Sequence, residues 1–161
     1  MRRTPLMPML VLSLLPMTLM GSCSTLEEQT RATPGPSYPM SMPMGEVHDI
    51  QVFRDVGTMR FTNTTPNQFG ESRIWINQRF SRLFEGVAPG QTVELPLIEF
   101  VDEYGDTFRA GGFFANRSPE PLVLVQIEGE GSYETTDEDG NTVTRTGPVL
   151  DGFLVVENRY E

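Results

Sequence analysis

Residues 73–108, RIWINQRFSRLFEGVAPGQTVELPLIEFVDEYGDTF, decide the fold class. Apolar and polar residues alternate along this stretch, and Gly, Pro, Asn and Asp fall between the runs. Side chains of a pleated strand point alternately to its two faces, so Ile74 and Ile76 share one face while Arg73, Trp75 and Asn77 share the other. Val93, Leu95 and Leu97 repeat the pattern after the Ala88-Pro89-Gly90 turn. The stretch therefore reads as strands near residues 72–78, 80–84 and 92–98. Phe100 to Phe108 reads as an acidic turn between two aromatic residues. There Gly105 can take a positive φ and Asp102 can hydrogen-bond the turn backbone.

The same period extends outward in both directions. Ile50 and Val52 begin a first strand near Val47, and Met59 and Phe61 mark a second, ending at Asn63-Thr64-Thr65-Pro66-Asn67. Asn63 and Asn116 match the glycosylation acceptor pattern, a match read as accidental. Gly111-Gly112 before Phe113-Phe114 suggests a bulge or a strand end. Residues 121–127 are apolar on both faces and should form a central strand. A second hairpin is expected from residues 133–136 and 142–145 around Asp137-Glu138-Asp139-Gly140-Asn141, and residues 152–157 form a last strand. No later segment carries a helical period. Short strands with turns about every 8–12 residues predict an all-β domain over residues 47–161, a single antiparallel β-sandwich. In strand count and length it resembles immunoglobulin-like or fibronectin III-like domains, although the disulfide of that resemblance cannot form with one Cys.

A chain of 161 residues with 38% hydrophobic content can hold one modest domain plus appendages. Its net charge is -10, and all 12 basic residues are Arg. An acidic surface repels phosphate backbones, which excludes nucleic acid as a partner and leaves cationic partners or divalent ions open. The absence of Lys removes Schiff-base chemistry and the Gly-Lys-Ser/Thr phosphate loop.

The N-terminus carries an address. Arg2 and Arg3 precede an apolar run over residues 6–20, and Gly21-Ser22 lead into Cys23, the single Cys of the chain. A positive start, a short apolar core and a small-residue cleavage zone make a secretory signal over residues 1–22. Leu19-Met20-Gly21-Ser22-Cys23 resembles the lipobox of bacterial lipoprotein signal peptides, with Met20 where Leu is commoner. The resemblance implies that Cys23 becomes the first mature residue and carries acyl chains that anchor it in the membrane. Ser24 after the Cys implies an outer-membrane destination, facing the periplasm, if the organism is Gram-negative. Residues 23–46, rich in Pro, Ser, Thr and Met, read as a flexible tether.

Three functional readings follow. The first is a non-catalytic, lipid-anchored envelope module with a structural role or a protein partner. The second is a carbohydrate- or peptide-binding module using Trp75, Tyr104 and Phe113 as stacking residues. The third is metal handling, with Cu(I) on Met40, Met42, Met44 and His48, or Ca²⁺ on the acidic turns at Asp102 and Asp137. An enzyme is not expected. There is one His and one Cys, no Gly-x-Ser-x-Gly elbow, and the paired carboxylates sit in turn tips, so no catalytic residue, resident metal or cofactor is assigned.

Overall fold

Alternation becomes pairing over most of the second half of the chain. The computed structural model describes residues 32–111 and 117–159. Its strands are β1 (Met44–Asp55), β2 (Thr58–Thr62), β3 (Ser72–Ile76), β4 (Phe80–Phe84), β5 (Thr92–Pro96), β6 (Val125–Thr136) and β7 (Thr142–Arg159). A short 3-10 turn, Leu97–Glu99, follows β5, and no α-helix occurs among the described residues. The all-β reading holds.

The sandwich reading is corrected. All seven strands belong to one sheet, in the order β4-β3-β6-β7-β1-β2-β5, curled into a half-barrel. It is mixed, because β1 and β7 run parallel while every other pair is antiparallel. Period-2 alternation reveals that one face of each strand is buried. It does not say whether a second sheet or the same sheet bent round covers that face. Here the sheet covers itself, helped by register shifts in β1 and β7 that increase local twist.

The concave face holds the core. Ile50 and Val52 of β1, Phe61 of β2, Ile74 and Ile76 of β3 and Phe153 of β7 are all buried there. Phe61 and Phe153 meet at 5.3 Å, and Phe80 packs edge-on to Phe108 at 5.4 Å. After β5 the chain crosses to the opposite sheet edge, where Ser81 of β4 and Val101 exchange backbone hydrogen bonds of 3.0 and 3.1 Å. The segment leaving one edge thus closes on the other.

Expected boundaries moved in three places. Asn77 and Gln78 are not strand residues but form, with Arg79, the loop between Ile76 and its partner Phe80; their φ values of 52° and 55° match hairpin twist. Residues 121–124 lie outside the sheet, with the Asn77 side chain accepting from Val123 N (2.9 Å) and donating to Pro121 O (2.7 Å). The four short segments expected after residue 121 fuse into β6 and β7, paired without interruption from Val125↔Phe153 to Thr136↔Thr142. Glu128-Gly129-Glu130-Gly131-Ser132 lost its strand signal because it leaves the core.

Candidate interaction surface

The acidic turn at Asp102 is built as a backbone clamp. Its Oδ1 accepts from Tyr104 N (2.9 Å) and Asp106 N (2.8 Å), and Gly105 takes a φ of 82°. Its Oδ2 accepts from Arg79 Nε (2.9 Å) and Nη2 (2.6 Å). Burial pushes the Asp102 carboxyl upward, but Arg79 and the turn amides outweigh it and hold the group below the usual carboxylate range. The tip at Asp137 repeats the clamp, accepting from Asp139 N (3.0 Å) and Asn141 N (2.7 Å) on Oδ1, with Gly140 at φ 85°. The Asn141 amide chiefly holds the Asp137 carboxyl low. The Asp102 and Asp137 carboxylate oxygens that a Ca²⁺ ion would need are thus engaged by amides and, on Asp102, by the Arg79 guanidinium. Among the described residues no three His, Cys, Asp or Glu converge on a site for a metal ion.

Trp75 lies opposite Ile74 and Ile76, as its phase requires, yet only 1% of it is exposed. Tyr38 covers it edge-on at 5.3 Å, and its Nε1 donates to Glu128 Oε1 at 2.7 Å. The Tyr38 hydroxyl donates to the buried Gln126 Oε1 (2.9 Å), whose Nε2 reaches Met44 Sδ (3.3 Å). Residues 32–43, read as tether, therefore lie as a strap along the convex face. Gly35 N adds a bond to Asp102 O (2.8 Å), and Ser37 Oγ donates to the Glu103 carboxylate. Trp75 offers no open ring face. Tyr104 stands 64% exposed on the turn, and Phe113 and Cys23 lie outside the described residues.

The soft-metal residues are dispersed in role. Met40 faces solvent and Met44 serves Gln126, while His48 packs edge-on to Phe69 at 5.3 Å. His48 Nε2 lies 3.3 Å from Asp151 Oδ2, within ion-pair reach but at an angle that makes no hydrogen bond. Asn63 of the glycosylation pattern is fully buried, its Nδ2 donating to Asn67 O at 2.7 Å, so its amide has no room for a glycan. A shallow cleft of about 420 Å³ separates the strap from β4, walled by Pro34, Pro36, Leu83 and Val101, with Arg73 beside Ser81 (3.1 Å).

The largest unabsorbed feature is a ribbon. β3 pairs with β6 only from Ile76↔Val125 to Ile74↔Ile127, and β1 pairs with β7 only from Leu150 onward. From Gly129↔Val149 to Thr136↔Thr142 the two strands pair with each other alone. Among the described residues no backbone group there is hydrogen-bonded outside the ribbon and its tip. At about 3.4 Å per residue the ribbon runs roughly 25 Å past the sheet. Sequence reasoning saw its outer end, residues 133–136 and 142–145, but not its continuation through residues 129–132 and 146–149, where Gly129, Gly131, Gly147 and Pro148 weaken the strand signal.

Set against family models, curated proteins and solved structures, the chain gives no match.

Proposed function

We propose that this chain is a lipid-anchored, non-catalytic envelope module whose task is to bind another protein of the envelope. The reading is carried by the β6–β7 ribbon, which presents unoccupied backbone edges on a rigidly rooted arm. A lone two-stranded ribbon is marginal in water, and unpaired edges are a liability that chains commonly cover. A long one with a clamped tip is well placed to receive a partner. The anchor is supported by the charged start, the apolar run and Leu19-Met20-Gly21-Ser22-Cys23.

The reading has two tests. Mass analysis of the N-terminal peptide should find acyl chains on Cys23 and nothing of residues 1–22; an unmodified thiol removes the anchor. Crosslinking in intact cells should join the chain reproducibly to one envelope protein, and the recovery of uncrosslinked chain alone removes the partner. A second reading, a small-ligand or peptide module, is favoured by the cleft beside Arg73, where apolar walls meet a guanidinium whose described partner is the neutral Ser81 hydroxyl. Saturable ligand binding lost in Arg73→Ala would select it.

A further inference from the structure

Resting on the reading of the ribbon as a binding arm, we infer that its β6 edge takes up a basic, extended segment of the partner as an added strand. The β6 side is the open lane. β3 occupies it only as far as Ile127, and from Gly129 to Thr136 nothing among the described residues pairs with it. In an antiparallel ribbon every second residue turns its N–H and C=O outward, so this edge offers a ladder of donors and acceptors at strand spacing. The β7 edge is poorer, because Pro148 lacks a donor.

Charge selects the occupant. Beyond Glu128, which already accepts from Trp75, register places Glu130 and Glu134 on one face of β6, and the tip adds Asp137, Glu138 and Asp139, against one ribbon cation, Arg145. Glu130 and Glu134 are exposed. A second copy pairing edge to edge through β6 would set these glutamates against each other, which is unfavourable for directly opposed strands. A segment with Arg or Lys at alternate positions meets them instead. Its intervening residues lie beside Gly131, Tyr133 and Thr135 of β6, which are uncharged and suit apolar side chains, while Arg145 of β7 shares that face from across Tyr133, one strand further away. The specificity thus lies in alternation, basic on one face and apolar on the other.

The probe is a capped, fluorescent ten-residue peptide alternating Arg and Val, titrated by anisotropy into the full chain in detergent. Saturable binding with a dissociation constant at or below about 100 μM is expected, weakened at least about tenfold when alternate amides of the peptide are N-methylated. The double variant Glu130→Arg, Glu134→Arg should weaken it by a similar factor, with an unchanged circular dichroism spectrum. Equal binding of the methylated peptide would show charge attraction without strand addition and overturn the inference, as would no saturable binding. A photocrosslinker at Ser132 or at Leu83 then separates the two levels in cells. Capture from Ser132 through a basic peptide supports the inference. Capture from Ser132 through a peptide without basic residues, or capture from Leu83 alone, overturns it while leaving the interaction reading standing. Capture from neither position overturns both.

Discussion

Asp102 concentrates the residue-scale logic. Its side chain is fully buried, its partner Arg79 is about half exposed at 49%, and each carboxylate oxygen is occupied. Asp102→Asn keeps the shape but removes the charge that Arg79 answers, and should destabilise the fold by roughly 2–4 kcal/mol in urea titration. The sign with pH follows from the depressed carboxyl. Its contribution is present above the unfolded value of about 3.9 and is lost as pH falls through the lower folded value. Wild-type stability should therefore fall across that acid range with a steeper slope than that of Asp102→Asn; parallel slopes would contradict the clamp. Val56 is the converse case, a β-branched residue at φ 48° in the β1–β2 turn. Val56→Asn should raise stability by about 0.5–1 kcal/mol, because Asn accepts that conformation more readily. The turn roles of Asp102 and Gly105 were legible from sequence. Arg79 was not, since nothing local links it to a carboxylate 23 residues away.

Among the elements, the strap and the ribbon were the least legible, for opposite reasons. Proline-rich composition describes what residues 32–43 cannot form and is silent about Tyr38, which closes over Trp75. Alternation correctly put Trp75 opposite the core, but its cover comes from a different part of the chain. Because Trp75 is the single Trp, its emission reports on that cover. Tyr38→Ala should shift the emission to the red and reduce stability by about 1–2 kcal/mol, while an unchanged spectrum would mean that Tyr38 does not shield the ring. Arg54, at the end of β1, performs a comparable tie. Its guanidinium donates to the carbonyls of Ala110 (2.6 Å) and Glu120, and lies over the Phe108 ring with its Cζ 5.4 Å from the ring centre. Arg54→Met should destabilise by about 3 kcal/mol in the same titration, because buried carbonyls lose their donors.

At the scale of the whole molecule, the strand content was readable and the closure was not. The apolar runs of β1 to β4 each became a buried row, yet the parallel β1–β7 pair joins a strand near the start of the body to one at its end, and no local pattern marks such a pairing. The net charge of -10 was readable too, and half of it, -5 over residues 128–149, lies on the one ribbon. The account rests on a functional surface made of backbone edge rather than reactive side chains. Residue-resolved amide hydrogen exchange on the isolated chain tests this most directly. Along residues 129–136 protection should alternate, with cross-strand amides slow and the intervening ones fast, while Val125 to Ile127 are protected on both sides. Uniform protection along the ribbon would mean that its edge is already covered, and uniform fast exchange would mean that there is no ribbon to dock upon.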